Sequence, residues 1–226
     1  MPVFQLGEEL QFPPAHLATD DGLLAVGGDL SPERLLLAYR LGIFPWFSEG
    51  DPILWWSPSP RLILEFDELR ISKRLQRTLR RNPFEVTMDA AFSQVVTCCA
   101  AAPRRHQHDT WITSEMITAY TQLHDLGFAH SVECWQDGKL AGGLYGIALG
   151  GVFFGESMFS AVADSSKVAF VRLTEKLVEW DFDFIDCQVK NDHLQRLGAK
   201  EIAGESFRAR LAKSADRQGK YGKWNL

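Results

Sequence analysis

Apolar and polar positions follow two different spacings along this chain, and the changes between them outline its elements. Residues 129–159 form three apolar, strand-like stretches in a row, with turn signals at Asp137-Gly138 and Gly150-Gly151. On either side, strand-like runs alternate with segments of helical period, which predicts a mixed α+β sheet flanked by helices. The predicted strands are 61–66, 84–88, 129–135, 140–149, 151–159, 184–189 and 199–202. The predicted helices are 72–81, 89–99, 113–126, 165–180, 191–197 and one after 202. Ser72 and Asp89 are the predicted N-caps of the first two helices.

A further helix is predicted near the N-terminus, and a linker follows it. Ser31-Pro32-Glu33 supplies an N-cap, a proline at the first helical position and an early acid, and Gly42 suits the left-handed residue after the helix. The stretch Ser57-Pro58-Ser59-Pro60 is the strongest linker signal. We therefore expect a small α+β domain at residues 1–58 and a larger catalytic domain at residues 59–226.

Two predicted strands carry polar side chains into an apolar setting. Glu156 interrupts an aromatic run, and a buried, unpaired acid costs on the order of several kcal/mol. Asp186 and Gln188 lie in the strand 184–189, where alternation predicts that they share one face and that Cys187 points to the other. An acid beside an orienting amide suits proton removal from an attacking amine. The alternative is a satisfied buried hydrogen-bond network without catalytic use.

Six cations with no acid among them follow the linker, at spacings of three and four that place most of them on one helical face. In a chain with a net charge of −5, this concentration favours a phosphate backbone as the partner, and a solvated surface helix is the alternative. The six are Arg70, Lys73, Arg74, Arg77, Arg80 and Arg81.

The composition, 46% hydrophobic and 23% charged over 226 residues, is that of a globular protein. No apolar run approaches the ~20 residues of a membrane span, and the N-terminus lacks the basic and apolar regions of a signal peptide. Four cysteines without CxxC spacing fit a reducing compartment, so we expect a cytoplasmic protein.

Two other groups of residues are weaker candidates for chemistry. His106 and His108 superficially resemble metal ligands, but the sequence offers no further ligand cluster, so we predict no metal site. A nucleophile arrangement of Cys187, His193 and Asp186 conflicts with strand alternation, which turns Cys187 away from the acid.

Several ordered motifs, spread over about residues 22–202, resemble those of the bacterial leucyl/phenylalanyl-tRNA–protein transferases. Their length and order make a chance match improbable. They are Gly27-Gly-Asp-Leu-Ser-Pro32, Gly42-Ile-Phe-Pro-Trp-Phe-Ser48, Asp51-Pro-Ile-Leu-Trp-Trp-Ser-Pro58, Thr110-Trp-Ile-Thr113, Gly155-Glu-Ser-Met-Phe-Ser160 and Ile185-Asp-Cys-Gln-Val189 followed by Asn191-Asp-His193.

This resemblance implies a small N-terminal domain joined to a C-terminal domain of the acetyltransferase-like N-acyltransferase fold, with which the predicted element order agrees. It also implies that Leu, Phe or, less well, Met moves from its tRNA to the α-amine of a protein that begins with Arg or Lys. The product is marked for degradation through the N-end rule pathway. The donor is an activated ester, so we expect no cofactor, ATP or metal, and we expect the enzyme to act as a monomer.

The resemblance also gives roles to the polar residues. Asp186 is the better base, because the amide of Gln188 has almost no basicity, and Gln188 is then expected to orient the amine or the tetrahedral intermediate. Glu156 is expected to hold the incoming cationic N-terminus. An α-amine has a pKa of about 8, so a useful fraction is neutral at cellular pH.

The donor is expected to bind in an apolar pocket beside aromatic rings. The family commonly has Met where this chain has Leu144. The expected pocket residues are Leu144, Phe153, Met158 and Ile185, of which Phe153 and Ile185 have the opposite strand parity to Glu156 and Asp186 and need a bulge or twist to contribute. Trp46 and Trp111 are expected to contact the terminal adenosine, although each ring could instead pack in the core.

Two other classes of function remain open. Coenzyme A acyltransferases of this fold hold pyrophosphate on a glycine-rich turn, and the matching segment 160–166 has no glycine and carries an acid. The end of a tRNA could occupy that space while its stem lies on the six cations. A non-catalytic tRNA-binding module is disfavoured by the expected placement of Asp186 and Gln188.

Overall fold

The computed structural model describes residues 3–102 and 110–226, so the predicted loop with His106 and His108 lies outside the described residues. The strands are β1 Phe4–Leu6, β2 Leu23–Gly27, β3 Phe44–Pro45, β4 Leu54–Trp56, β5 Arg61–Leu64, β6 Glu85–Met88, β7 Ala129–Gln136, β8 Lys139–Leu149, β9 Val152–Ser160, β10 Phe184–Gln188 and β11 Lys200–Ile202. The α-helices are α1 Pro32–Arg40, α2 Lys73–Arg81, α3 Phe92–Ala101, α4 Ser114–Asp125, α5 Ser165–Glu179, α6 Asp192–Arg196 and α7 Gly204–Ala215.

A seven-stranded sheet in the order β11-β5-β10-β9-β8-β7-β6 forms the centre of the molecule. Strands β7, β8 and β9 form the antiparallel meander that the two glycine turns predict. β10 then returns through α5 to pair with β9 in parallel, which makes the sheet mixed. Each predicted strand of this sheet is present, and the predicted mixed α+β class is confirmed.

A second sheet in the N-terminal part of the chain has the order β1-β2-β4-β3. Its strands are two to five residues long, and the pattern of the sequence predicts none of them. Trp55 is fully buried, and its indole nitrogen donates to the carbonyl of Gly27 at 2.9 Å. Many of the aromatic side chains in this region therefore pack in the core. Residues 57–60 connect the two sheets.

Each face of the large sheet has its own buried core. Along β8, Leu144 belongs to one core and Tyr145 to the other, as strand alternation requires. The core that contains Tyr145 is closed by α1, α3, α4, α7 and the small sheet, whereas the core that contains Leu144 is closed mainly by α5. Over the part of the chain that the structure describes, no helix is long and apolar enough to cross a membrane.

Asp89 does not cap a helix, so that prediction is wrong. Helix α3 begins at Phe92, and its N-cap is Ala91. The carboxylate of Asp89 instead accepts backbone N–H groups of Ser131 at 2.9 Å and of Trp224 at 2.7 Å. Backbone N–H groups of β7 and of the C-terminal segment thus bind the carboxylate that the local sequence pattern predicts to cap the helix.

Candidate active site

A cavity of about 370 Å³ opens between β9 and β10. The two strands pair only from Phe184 opposite Val152 to Asp186 opposite Phe154, and the following residues of both strands line the cavity. The cavity contains every residue that the sequence predicts for catalysis or for aminoacyl and adenosine binding except Asp186. These are Trp46, Trp111, Leu144, Phe153, Glu156, Met158, Ile185 and Gln188.

An irregular step in β9 brings Glu156 into this cavity. Ser157 pairs with Tyr145 on β8, Gly155 pairs with the next residue of β8, and Glu156 is left over between them. An extra residue in one strand re-aims the side chains on both sides of it. Phe153 and Glu156 can therefore line the same cavity despite their opposite parity, as a bulge at this place allows.

A second irregular step lies in β10. Asp186 pairs with Ile63 of β5 and Gln188 pairs with Leu62, so Cys187 is left over, and Gln188 has a φ of 56° in the left-handed region. Cys187 and Gln188 both line the cavity, whereas Asp186 does not. The prediction that Asp186 and Gln188 share one face is therefore wrong, because the bulge interrupts the alternation on which it depends.

Asp186 is buried in an ion pair with Arg61. Nε and Nη2 of Arg61 lie 2.9 and 2.6 Å from the two carboxylate oxygens, and both side chains are almost fully buried. The carboxylate also accepts the backbone N–H of Gln188 at 3.0 Å. Asp186 thus fixes the backbone at Gln188 instead of facing a substrate, and its predicted role as the base stays a prediction. No role in the site is predicted for Arg61 from the sequence. A lone charge at the start of the apolar strand β5 is nevertheless a signal that could have indicated a buried ion pair.

Glu156 is held by hydroxyl groups from two helices. Tyr39 of α1 donates to one carboxylate oxygen at 2.8 Å, and Tyr120 of α4 donates to the other at 3.0 Å. The side-chain amide of Gln188 donates to the first oxygen at 3.3 Å. The two tyrosine hydroxyls also contact each other. Glu156 and Gln188 line the cavity, and the two buried tyrosines lie behind Glu156. We call Glu156, Gln188, Tyr39 and Tyr120 together the polar wall.

Burial sets the protonation of the polar wall. It raises the pKa of Glu156 to about 7, against the hydrogen bonds from Tyr39 and Tyr120, which favour the ionised form. It also raises the pKa of both tyrosines well above the ordinary value, so both hydroxyls stay protonated and can donate. Neither tyrosine was predicted, because each reaches the site from a distant part of the sequence.

The opposite side of the cavity is apolar. Leu144 and Met158 are cross-strand partners on β8 and β9, and Phe153 and Ile185 are partners on β9 and β10. Two side chains of α5 that sequence reasoning missed complete this side, although their spacing of three on a helix marks one apolar face. We call the six residues the apolar pocket: Leu144, Phe153, Met158, Phe170, Leu173 and Ile185.

Trp46 and Trp111 line the cavity as partly buried rings, and Trp46 also packs at a tilt against Trp56 with centroids 6.0 Å apart. Cys187 and His193 line the cavity too. Burial raises the pKa of the Cys187 thiol far above its ordinary value, which keeps it protonated and weakens the case for a nucleophile.

All six predicted cations are exposed. Five lie in α2, whose N-cap is Ser72 as predicted, and Arg70 precedes the helix. No acid stands among them in the sequence, but the fold brings Asp164 to 3.2 Å from Arg74, and Lys167 also pairs with Asp164. Helix α2 packs on α5, and two residues of α5, Phe170 and Leu173, belong to the apolar pocket. We call the six cations the basic surface.

Comparison with solved structures adds little. A functionally unknown conserved protein from Staphylococcus epidermidis aligns with 80% of this chain and 68% of its own length, at a TM-score of 0.45 and 9% identity. A likeness that low carries no argument.

Comparison with sequences is decisive. A family model described as leucyl/phenylalanyl-tRNA protein transferase matches residues 63–212, and a model of the N-terminal domain of that transferase matches residues 28–59. A protein named leucyl/phenylalanyl-tRNA–protein transferase from Anaeromyxobacter sp. (strain Fw109-5) is 57% identical over 100% of this chain and 96% of its own length. A protein of the same name from Syntrophobacter fumaroxidans is 59% identical over 95% of this chain and 92% of its own. The chain therefore belongs to the leucyl/phenylalanyl-tRNA–protein transferase family of aminoacyltransferases.

Proposed function

We propose that this enzyme transfers Leu or Phe, and Met less well, from aminoacyl-tRNA to the N-terminal Arg or Lys of an acceptor protein. One observation carries the proposal: a single cavity joins an apolar pocket to the polar wall. The product is then degraded through the N-end rule pathway, as the family resemblance implies. We propose that the enzyme acts in the cytoplasm, where its tRNA substrate is found, and that it acts as a monomer.

The donor binds through three interactions of different kinds. The aminoacyl side chain enters the apolar pocket, where Met158 supplies an adaptable, unbranched wall. The terminal adenosine lies against Trp46 and Trp111, since aromatic rings provide stacking surfaces for bases. The phosphate backbone of the tRNA lies on the basic surface, which supplies charge without reading sequence.

The acceptor binds at Glu156. When ionised, this carboxylate offers a counter-charge to the cationic N-terminal residue while the hydroxyls of Tyr39 and Tyr120 keep it in place. Because its pKa is about 7, the carboxylate is ionised in only part of the enzyme at cellular pH. Entry of a cation beside it favours the ionised form, so acceptor binding and ionisation support each other.

Transfer itself is a simple exchange of bonds. The neutral α-amine attacks the ester carbonyl, the new C–N bond forms, and the C–O bond to the terminal ribose breaks. The amine loses one proton and the ribose oxygen gains one, so the reaction balances without ATP, a metal or another cofactor. Gln188 donates its amide N–H to Glu156, which leaves its carbonyl oxygen to orient the attacking amine.

Asp186 takes part in this step through Gln188. Its carboxylate holds the Gln188 backbone in the left-handed conformation that aims the side chain into the cavity. Its charge is balanced by Arg61, so a buried ion pair stands directly behind the reacting groups. We propose that this pair, by fixing Gln188 against the attacking amine, assists the transfer of the amine's proton to the ribose oxygen, a role that the sequence assigns to Asp186 alone.

We further propose the acetyltransferase-like N-acyltransferase fold for a catalytic domain at residues 59–226, next to an N-terminal domain at residues 1–58. The antiparallel meander, the following helix α5 and the parallel strand β10 support this assignment. At the start of α5, Asp164 places an acid where a coenzyme A acyltransferase needs a pyrophosphate cradle. Binding of coenzyme A is therefore disfavoured.

One assay tests the proposal. Radiolabelled leucyl-tRNA and radiolabelled acetyl-coenzyme A are supplied separately with a peptide that begins with Arg, and a matched peptide with an acetylated N-terminus serves as the control. We expect label on the free peptide from leucyl-tRNA alone. Label from acetyl-coenzyme A would identify an acetyltransferase instead. Tight binding of leucyl-tRNA without transfer would identify a non-catalytic module.

A further inference from the structure

The C-terminal segment 217–226 ends against the back of the apolar pocket. Trp224 is 1% exposed, and its backbone N–H donates to Asp89 at 2.7 Å. Its ring stacks on His130 with centroids 3.7 Å apart and planes within 5°. Its indole N–H donates to the carbonyl of Lys220 at 2.9 Å. A tryptophan in this position has its polar atom satisfied and its whole ring packed.

One neighbour of Trp224 lines the cavity. The rings of Trp224 and Phe153 have centroids 6.0 Å apart. Phe153 lines the cavity and Trp224 does not, although both belong to the same buried core as Leu144 and Ile185. Trp224 therefore lies one layer behind the wall of the apolar pocket. Trp180 and Phe182 pack edge-on against it, which holds the indole in one orientation.

Interactions away from the pocket fix the rest of the segment. Arg217 pairs with Asp183 at 2.5 Å, and Gly222 donates its N–H to the carbonyl of Gly127 at 3.2 Å. The ring of Tyr221 packs against Phe128 with centroids 5.0 Å apart. The position of Trp224 is thus set independently of Phe153, which lets the segment act as a fixed support.

We propose that Trp224 is a positioning residue that sets the depth of the apolar pocket through Phe153 and so biases the enzyme toward leucine over phenylalanine as the transferred group. This inference rests on the proposed function. Buried aromatic rings leave a cavity when they are truncated, and neighbours relax into it only in part. A retreat of Phe153 into that space deepens the pocket, which loosens the packing around the shorter leucine side chain and gives room to the longer phenylalanine.

The test compares kcat/KM for leucyl-tRNA and phenylalanyl-tRNA in Trp224→Ala, in the conservative Trp224→Phe and in Tyr221→Ala. The last variant removes another aromatic anchor of the same segment, and its partner Phe128 does not line the cavity. We expect the leucine-to-phenylalanine ratio to fall about tenfold in Trp224→Ala, since small apolar mismatches discriminate by roughly 10–200-fold. We expect Trp224→Phe to restore most of the ratio and Tyr221→Ala to leave it unchanged.

An unchanged ratio in folded Trp224→Ala overturns the inference, as does an equal shift in Tyr221→Ala, which would reflect loosening of the whole segment. If Trp224→Ala does not fold, a double-mutant cycle of Trp224→Phe with Phe153→Leu replaces it. Coupling of the two changes in the donor ratio supports the inference, and strict additivity overturns it. If the wild-type enzyme transfers neither leucine nor phenylalanine, the proposed function is wrong, and the inference that rests on it is wrong as well.

Discussion

The polar wall and the basic surface hold their charges in opposite ways. In the polar wall, Glu156 accepts three hydrogen bonds, and Gln188 is fixed from behind by the buried pair of Arg61 and Asp186. On the basic surface, even Arg74, which pairs with Asp164, has a side chain that is 73% exposed. A buried network fixes geometry, so removal of one partner is costly. Exposed cations act through their number and are screened by salt.

The largest effect should come from the pair behind the polar wall. In Asp186→Asn, we expect transfer to fall by ~10²-fold or more, because the carboxylate that fixes the Gln188 backbone is lost and a misplacement of about 1 Å at the reacting groups can cost that much. We also expect stability to fall by about 3–5 kcal/mol, because the change leaves the buried charge of Arg61 without its counter-ion. Single-turnover transfer and urea unfolding measure the two effects separately.

A second variant separates the two effects of that change. Arg61→Met together with Asp186→Asn removes both charges, and replacing a whole buried pair is often neutral for stability. We expect the double variant to regain stability while transfer stays low. If transfer also recovers, Asp186 serves only to neutralise Arg61. Near-normal transfer by folded Asp186→Asn would remove Asp186 from the mechanism.

The next effect concerns Glu156 and pH. Its pKa in the folded enzyme is about 7, above the ordinary value of 4.5, so the folded state keeps a proton that the unfolded chain loses between these values. The free energy of unfolding should therefore fall as pH rises through this window. Glu156→Gln removes the titration and should flatten this part of the curve, as urea unfolding at a series of pH values can show.

The same variant tests acceptor binding. Losing a hydrogen bond to a charged group costs about 1.5–3 kcal/mol, so Glu156→Gln should lower kcat/KM for an Arg-peptide by about tenfold to a hundredfold above pH 7. The loss should shrink below pH 7, where Glu156 is protonated in the wild type as well. The α-amine of the peptide titrates in the same way with both enzymes. The ratio of kcat/KM between the wild type and Glu156→Gln therefore reports the titration of Glu156 alone. A ratio that does not change with pH would contradict the assignment.

The apolar pocket is intermediate between the buried polar wall and the exposed basic surface, because its side chains are packed but are not fixed by hydrogen bonds. Met158→Ala should weaken leucine transfer more than phenylalanine transfer, by about tenfold, since packing of one apolar group in such a pocket is worth about 1–3 kcal/mol. Met116→Ala is a matched control, because Met116 is fully buried in the core on the other face of the sheet. Equal losses for both donors in Met158→Ala would show that the residue supports the fold and does not select the transferred group.

These regions also differ in how far the sequence predicts them. The meander β7–β8–β9 is predicted well, because alternation and glycine turns are local signals. The helix α2 is predicted with its cap Ser72 for the same reason. The strands β1 to β4 are too short for a pattern, and they exist only through pairing with one another.

The polar wall is predicted only in part, because its geometry depends on register. The bulges that leave Glu156 and Cys187 unmatched arise from pairing with β8 and β5, which no spacing within β9 or β10 reveals. The partners Tyr39, Tyr120 and Arg61 come from segments far from the strands they serve. The sequence therefore indicates which polar groups are unusual, but not which of them meet.

The smallest effect is expected on the basic surface, and its measurement completes the comparison. Arg77 donates to a carbonyl of its own helix, and Arg81 is exposed one turn further on, so both guanidinium groups are available to phosphate. Arg74 is a poorer choice, because it also holds Asp164 at the start of α5. We expect Arg77→Gln with Arg81→Gln to raise the KM for aminoacyl-tRNA by about twofold to thirtyfold, as exposed pairs are worth about 0.2–1 kcal/mol each.

Salt and donor length show whether that effect is electrostatic. Removal of one cation that binds a phosphate should reduce the slope of log K against log salt by roughly 0.9, so the double variant should lose nearly two units of slope. A short donor such as an aminoacyl-adenosine cannot reach α2, and its transfer should be unchanged. Lys139→Gln with Lys213→Gln, on exposed positions of other elements, changes the net charge equally and should leave the slope alone. If the short donor suffers as much as the tRNA, the variant has damaged the cavity, and if neither donor is affected, the tRNA lies on another face.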